Sequence, residues 1–248
     1  SDSVAALTRD DITTFYKQRY VPENMVVAAA GNMHHDEIVN ICLKQFAQFP
    51  PNTLSLPKRR KPRITSSQKI RFTKDFQQSH LLLSTITEGV RSEQRYALAV
   101  FNTLLGDGMS SRLYQSIREK SGLAYSIYST LQLLSDCGTL SIYAALDQSH
   151  IEYARESIRK EIDKLIQEPC SAKELRRMKL QVQAGIVMSL ESMESRMTAM
   201  AKSILETGHY ESAEEIVEKI GNVTAEEMCS SARLLSQEKI SEVLFSPN

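Results

Sequence analysis

An arginine and a tyrosine that could bind negative charge follow a glycine turn near the middle of the chain. Arg118 and Tyr125 form an Arg-x6-Tyr pair after Gly106-Asp-Gly108. A fixed guanidinium and a phenol hydroxyl are hydrogen-bond donors that can be directed at a carbonyl oxygen or an oxyanion. The alternative is structural, because an arginine near a helix end is usually solvated, and a tyrosine that alternates with Leu123 and Ile127 is usually partly buried. Taken alone, the two residues favour the structural interpretation.

No common catalytic motif accompanies this pair. The sequence contains no H-E-x-x-H, H-x-x-E-H or G-x-S-x-G motif, and the glycine turn is predicted to lie between helices, unlike a phosphate loop. Only the run His34-His35-Asp36-Glu37 brings possible metal ligands together. Adjacent residues at a helix start point in different directions, and acids there suit the helix dipole, so a helix start is favoured over a metal site. We therefore expect no catalytic residue and no metal ligand in this chain.

The composition excludes several classes of protein. The 248 residues are 42% hydrophobic, and 30 basic residues balance 30 acidic ones. A neutral total gives no long-range attraction to nucleic acid or membrane, and no apolar run approaches the roughly 18 residues that span a bilayer. The cysteines are widely spaced, which favours reduced thiols and a reducing compartment, either the cytoplasm or an organelle matrix.

The end of the chain resembles its beginning. Residues 223–248 match residues 7–32 without a gap, at an offset of 216 (224 − 8). Each copy has a Thr-x-x-acidic helix start, followed about a dozen residues later by a short apolar strand, at 25–30 and 240–245. The corresponding residues include Thr8 and Thr224, Asp11 and Glu227, and Val27 and Val243. The repeat predicts that the chain holds one full unit preceded by the tail of another, with most of the first unit upstream of Ser1.

A proline-rich stretch at 50–68 predicts a linker, because no helix tolerates its proline spacing. Its basic run, residues 58–63, could be a nuclear-localisation or nucleic-acid patch. A solvated strap between domains is favoured, since the chain is neutral and no aromatic residues interleave with the basic ones. The predicted domains are 1–49, the tail of a first half, and 69–248, a complete second half.

Hydrophobic periodicity predicts an α+β fold with an antiparallel sheet covered by helices on one side. Strands are predicted at about 24–31, 69–74, 79–87, 123–133, 139–146 and 240–245. Helices are predicted from about Thr8, at 36–49, 93–105 and 110–120, and from 151 onward. The residues Ile151, Ala154, Ile158, Ile162 and Leu165 should form the buried face of one helix.

The segment from Leu104 to Tyr128, with its glycine turn and Arg-x6-Tyr pair, closely resembles the second-half signature of the pitrilysin/insulinase family of zinc metallopeptidases. Residues 7–32, with Tyr-x-Pro-x-Asn-Met and a closing Gly-Asn, are similar to the end of that family's first half. The resemblance covers nearly the whole chain. It implies two halves of α/β-roll type that face each other as a clamshell around an extended peptide.

The resemblance also implies roles and absences. Family members carry H-x-x-E-H and a further glutamate ligand in the first half, which would lie upstream of Ser1. We therefore expect the C-terminal part of a zinc-dependent endopeptidase, with zinc in the full-length parent and neither zinc nor activity in this chain alone. Arg118 and Tyr125 are implied to bind the substrate backbone near the scissile bond.

The implied partners are an extended peptide substrate and either the chain's own first half or a homologous subunit. Apolar surface on residues 1–49 would also allow a homo-oligomer. The alternative function is a non-catalytic partner or structural subunit, since some family members have lost the zinc motif. The presence or loss of H-x-x-E-H upstream would distinguish the two.

Overall fold

The computed structural model describes residues 2–47, 49, 67–236 and 238–247. Apart from Ser67 and Gln68, the predicted linker lies outside the described residues, and so does its basic run. The chain divides into two compact units, the first within residues 1–60 and 189–210 and the second within 61–188 and 211–248.

The elements largely follow the predicted order. The helices are α1 (Asp2–Ala5), α2 (Arg9–Arg19), α3 (His35–Phe46), α4 (Gln94–Leu105), α5 (Ile151–Gln167), α6 (Ala172–Ser189), α7 (Met193–Thr207), α8 (Ala213–Asn222) and α9 (Ala225–Ala232), with a π-helix at Tyr114–Lys120 and 3-10 turns at Pro22–Asn24, Gln148–His150 and Arg233–Leu235. The strands are β1 (Lys69–Thr73), β2 (Ser79–Thr87), β3 (Ala124–Leu133), β4 (Gly138–Leu146) and β5 (Ser241–Ser246). No helix in the described part of the chain has both the length and the apolar character needed to cross a membrane.

The second unit is built on one five-stranded sheet in the order β1-β5-β2-β4-β3. Three of its neighbouring pairs are antiparallel, as predicted, but β5 runs parallel to β1. Parallel neighbouring strands need a long connection between them. Here the connection is long, since the backbone N–H of Gln68 donates to the hydroxyl of Ser241, 173 residues later in the sequence. The α+β architecture is confirmed, and the sheet is mixed.

One hydrophobic core lies between this sheet and its helices. Alternate residues of β2 are buried, as the period of a half-buried strand requires. All five residues predicted to form the inner face of α5 are buried as well. On the other face of the sheet Phe72, Leu82 and Ile86 are exposed, so the predicted one-sided packing holds for the second unit.

A nearly buried carboxylate anchors the loop before α8 to the start of α4. Arg95 approaches Glu211 at 2.6 Å and Lys219 approaches it at 2.7 Å, and the hydroxyl of Tyr96 donates a hydrogen bond to it. Burial alone would raise the pKa of Glu211, but the hydrogen bonds from Lys219, Tyr96 and Arg95 outweigh it and lower the pKa to about 2. The second unit resumes at Glu211 after the segment 189–210, so this cluster attaches the returning chain to the rest of the second unit.

The first unit has helices but almost no core. None of its helices α1, α2, α3 and α7 contains a buried residue. Among the described residues of this unit, Val21 is the one buried hydrophobic side chain, whereas Ile12, Phe15 and Leu43 are each more than half exposed. Tertiary packing of an apolar face, the usual main source of helix stability, is therefore slight for these four helices among the described residues.

The predicted strand at 25–30 is absent, although its counterpart at the chain end forms β5. Residues 25–30 follow the Pro22–Asn24 turn and form no ladder with any described strand. A strand assignment requires hydrogen-bonded partners, which a local apolar pattern cannot supply. Met25 itself is extended (φ −120°, ψ 146°), but the apolar pattern did not show whether the segment has a partner.

Candidate functional site

The glycine turn that precedes Arg118 is docked on the edge strand β3. The backbone N–H of Ser129 donates to the carbonyl of Gly106 at 3.1 Å. The Ser129 hydroxyl donates to the carbonyl and the side-chain oxygen of Asn102, at 3.1 and 2.8 Å. A Cβ on Gly106 would lie 2.4 Å from the Ser129 nitrogen, closer than any real contact. Glycine is required here by the close approach of two backbones.

The rest of the turn is closed by a buried serine. Gly108 adopts φ +99°, which favours glycine, and the hydroxyl of the fully buried Ser111 donates to its carbonyl at 2.6 Å. The turn lies between α4 and the next helical segment, as predicted. Its glycine carbonyls accept hydrogen bonds from Ser129 and Ser111, which makes it a structural connection, in contrast to a phosphate loop that presents open amides to a ligand.

Arg118 lies on a π-helix where the sequence predicted an ordinary short helix. The hydroxyls of Ser116 and Ser121 donate to the backbone carbonyls of Arg112 and Ser116, each at 2.7 Å. These side-chain bonds compete with the i to i−4 pattern of an α-helix. A π-helical segment of seven residues is unusual, and such segments are frequent at functional sites.

An ion pair holds the start of this helical segment. The guanidinium of Arg112 donates two hydrogen bonds to the Glu174 carboxylate of α6, at 2.9 and 2.8 Å. The bond from Arg112 lowers the pKa of Glu174. Both side chains are at least three-quarters shielded from solvent, and two parallel charge-assisted bonds fix orientation as well as distance.

Arg118 is exposed at the far end of the same segment. Its guanidinium carbon is 5.1 Å from the centroid of the Tyr114 ring, within cation–π range. No ion pair seen among the described residues involves Arg118. The chain then turns at Gly122, whose N–H donates to the Arg118 carbonyl at 3.2 Å and whose φ is +61°. The guanidinium is therefore supported by a ring and remains available to another molecule.

Tyr125 projects from the beginning of β3. The ladder between β3 and β4 pairs Ala124 with Leu146 and Ser126 with Ala145, so Tyr125 is the extra residue of a β-bulge. Its side chain is 61% exposed, whereas Ala124 and Ile127 are buried. Strand alternation had suggested that this tyrosine is partly buried, and the bulge explains why it is not. Arg118 and Tyr125 thus stand on the two arms of one short turn, both directed to solvent.

Sequence reasoning missed a polar and aromatic group on the exposed face of the sheet. Tyr128 pairs across strands with Tyr143, with ring centroids 5.0 Å apart, and the Tyr143 hydroxyl lies 2.7 Å from Nδ1 of His80. Burial raises the pKa of Tyr143. Only the strand register brings these residues together. Alternation along each strand could have placed them on one face, but not side by side.

The described residues do not fit a zinc ion. No three of their His, Cys, Asp or Glu side chains are grouped so that they could hold a metal. The run that begins at His34 forms the start of α3, with His34 at the N-cap position. Within the described chain all four cysteines are free.

Known proteins share both sequence and fold with this chain. A family model described as the peptidase M16 inactive domain matches residues 6–182. The chain is 36% identical, over 99% of its length, to an uncharacterized zinc protease of Mycobacterium leprae and covers 56% of that protein.

Solved structures show the same fold. A protease from Helicobacter pylori matches with a TM-score of 0.88 and 19% identity, over 99% of this chain and 60% of that one. A chain of Complex III2 from Candida albicans matches with a TM-score of 0.83 and 19% identity, over 98% of this chain and 60% of that one. The chain thus spans between 56% and 60% of the length of these proteins.

Proposed function

Because the chain belongs to the peptidase M16 family, as its inactive C-terminal domain, we propose that it is the C-terminal part of a zinc-dependent endopeptidase that cleaves extended peptides. In this proposal residues 1–49 are the tail of the first half, 50–68 a linker and 69–248 the second half. The first half, in the same or another polypeptide, supplies the zinc and the general base. Arg118 and Tyr125 of this chain bind the substrate.

The observation that carries the proposal is the contrast between exposed donors and a buried support. Arg118 and Tyr125 are exposed, while Ile117 and Ala124, each next to one of them in sequence, are buried, as is Leu113 at the start of the segment. Donors held on a rigid support lose little entropy on binding and need no reorganisation during the reaction. A merely solvated arginine would not need this support.

Each donor suits a different part of a peptide. The Arg118 guanidinium is a fork of several N–H donors, which suits the carbonyl oxygens of an extended backbone. The Tyr125 hydroxyl is a single donor, which suits the oxygen that becomes negatively charged when water attacks the scissile carbonyl. Arg118 would therefore act mainly in capture of the substrate, and Tyr125 mainly in stabilising the transition state.

The alternative is a non-catalytic partner or structural subunit. One protein of this fold is a chain of Complex III2 from Candida albicans, so the fold also occurs within a large assembly. In that case Arg118 and Tyr125 would have no reaction to assist.

The test uses the full-length protein. Its sequence upstream of Ser1 is examined for H-x-x-E-H, and its activity on unstructured peptides is measured with and without a chelator. We expect the motif, and cleavage that a chelator abolishes and zinc restores. A full-length protein that lacks the motif and does not cleave would support the structural subunit.

A further inference from the structure

We propose that Tyr114 is a positioning residue for the candidate site, whose ring holds the Arg118 guanidinium in place and leaves its N–H donors for the substrate. The proposal rests on the proposed function, in which Arg118 captures the substrate, and it adds a residue to that step. It is carried by the contact between the two side chains on the π-helix at Tyr114–Lys120.

The contact holds the guanidinium through its charge alone. The guanidinium carbon of Arg118 lies over the Tyr114 ring, 5.1 Å from the ring centroid. A cation in this position is attracted by the negative face of the ring, without a hydrogen bond. Arg118 is exposed, and none of the ion pairs seen among the described residues includes it. The ring therefore restrains the guanidinium while its N–H groups can still bind carbonyl oxygens.

Three other arginines of the second unit are held by carboxylates. Their guanidinium groups donate hydrogen bonds as follows: Arg95 to Glu211, Arg112 to Glu174 and Arg155 to Glu242. Bonds of this kind fix a guanidinium well, but they occupy its donors and balance its charge. They suit an arginine that holds the fold together. Support by a ring suits an arginine that has to bind another molecule.

The π-helix brings the two side chains into line. An α-helix completes a turn in about 3.6 residues, and a π-helix, with its i to i+5 hydrogen bonds, takes more. Residues four positions apart, such as Tyr114 and Arg118, therefore lie more nearly above one another in a π-helix. Leu113 and Ile117 are also four apart, and both are fully buried. One such pair thus packs in the core, and the next pair forms the contact of ring and guanidinium at the surface.

A restrained arginine should bind a peptide more tightly than a mobile one. An arginine side chain has many rotamers, and immobilising it on binding costs free energy. The contact with Tyr114 limits these rotamers before the substrate arrives. The Tyr114 side chain is partly buried, and its hydroxyl forms no hydrogen bond within the described part of the chain. The face of the ring is therefore the part of Tyr114 that acts.

Peptide binding by the full-length protein tests this role without turnover. Zinc is removed with a chelator, and the Kd of a fluorescently labelled, unstructured peptide is measured by anisotropy. Tyr114→Leu should raise the Kd about two- to five-fold, as expected for loss of an exposed cation–π contact. Tyr114→Met, a second substitution without a ring, should do the same. Tyr114→Phe should bind like the wild type, because it keeps the ring.

A double variant separates positioning from a structural role. If Tyr114 acts through Arg118, Tyr114→Leu should have no further effect in a protein that already carries Arg118→Ala. A structural effect of the ring would persist in that background. Tyr153→Leu is the matched control, since Tyr153 is also on a helix, is 57% exposed and lies outside the candidate site. It should leave the Kd unchanged.

The outcomes distinguish this proposal from the proposed function. If Arg118→Ala weakens binding but neither Tyr114→Leu nor Tyr114→Met does, Tyr114 has no positioning role and Arg118 keeps its function. Equal effects of Tyr114→Leu with and without Arg118, or a Tyr114→Phe protein as weak as Tyr114→Leu, would also overturn the proposal. An unchanged Kd in Arg118→Ala, or a wild-type protein that binds no peptide, would refute the proposed function of Arg118 and the role of Tyr114 with it.

Discussion

The backbone N–H of Ser129 donates a 3.1 Å hydrogen bond to the carbonyl of Gly106, so the turn that leads to Arg118 rests directly on the strand that carries Tyr125. The two donors of the candidate site therefore do not depend on separate parts of the fold. A change at this contact should move both of them. That makes Gly106 the position at which the support of the site is best tested.

Gly106→Ala should destabilise the chain by about 1–3 kcal/mol, because the added Cβ has no room beside the β3 backbone. Urea denaturation at neutral pH measures the change. Gly185→Ala is the matched control, since nothing lies within 4 Å of a Cβ at this position in α6. The control should gain roughly 0.5–1 kcal/mol from helix propensity. A Gly106→Ala protein as stable as the wild type would show that the contact with Ser129 is not tight.

Tyr125→Phe and Arg118→Ala should impair the full-length peptidase in different ways. Loss of one oxyanion donor is expected to lower turnover by about 10²-fold to 10³-fold, so Tyr125→Phe should act on kcat. Arg118→Ala should act mainly on substrate capture and raise KM. Steady-state kinetics on an unstructured peptide separates the two effects.

Zinc content and Tm provide the controls for these variants. Both should stay near wild type, since each side chain is exposed and the zinc ligands are proposed to lie in the other half. Unchanged turnover in Tyr125→Phe, or loss of folding, would return the tyrosine to a structural role in β3.

Acid should weaken the second unit through Glu211. Its pKa is about 2 in the folded chain against an ordinary value of 4.5, so its contribution to stability is complete above about pH 4.5 and is lost as the pH falls toward 2. At about 1.4 kcal/mol per pKa unit, the difference between the ordinary and the folded-state pKa of Glu211 corresponds to roughly 3 kcal/mol of the free energy of unfolding. Glu211→Gln should remove this part of the pH dependence, as followed by urea denaturation between pH 2 and pH 7.

Glu156→Gln is the control for Glu211. Glu156 forms an exposed pair with Lys160 at 3.0 Å, and such pairs contribute little. The Glu156→Gln variant should therefore show the same dependence of stability on pH as the wild type. If Glu211→Gln gave the same profile as this control, the cluster around Glu211 would not be a source of acid sensitivity.

The isolated chain should contain no stoichiometric zinc and should not cleave peptides. The described residues offer no group of three ligands, and structural or catalytic zinc sites need at least three from the protein. Metal analysis of protein purified without chelator measures the first part and a peptide assay the second. One tightly bound zinc per chain would contradict the prediction.

The isolated chain should also self-associate through residues 1–49. Helices without buried residues leave apolar side chains such as Phe15 and Ile41 in water, and a second copy can cover them. Light scattering over a range of concentrations measures the association. A chain that begins near Gln68 is the comparison and should associate less. Strict monomers in both cases would count against the prediction.

Local pattern was enough to predict most elements of the second unit. The run 79–87 was predicted as a strand from its residue types, and β2 has those bounds. The inner face of α5 was predicted correctly from the helical spacing of its apolar residues. Such patterns depend only on residues close in sequence.

Features that depend on distant partners were not predictable. Three features are decided by neighbours far away in sequence. They are the parallel pairing of β5 with β1, the lack of a strand partner for 25–30, and the contact of His80 with Tyr143. The π-helix at Tyr114–Lys120 is accompanied by hydrogen bonds from serine hydroxyls to backbone carbonyls, a small energetic effect that no periodicity shows. Arg118 and Tyr125 were identified by resemblance, and the bulge that exposes Tyr125 became visible only in the ladder.

The position of β5 also has a consequence for biosynthesis. It lies between β1 and β2, although it follows the other four described strands in sequence, and a backbone hydrogen bond joins Glu242 to Gln68. A ribosome must therefore synthesise everything from β1 to β5 before β1 can join the sheet, and contacts of such long sequence separation slow folding. Until then the nascent chain exposes the edge of β2. Translation that stops early should leave an aggregation-prone intermediate and not a smaller stable domain.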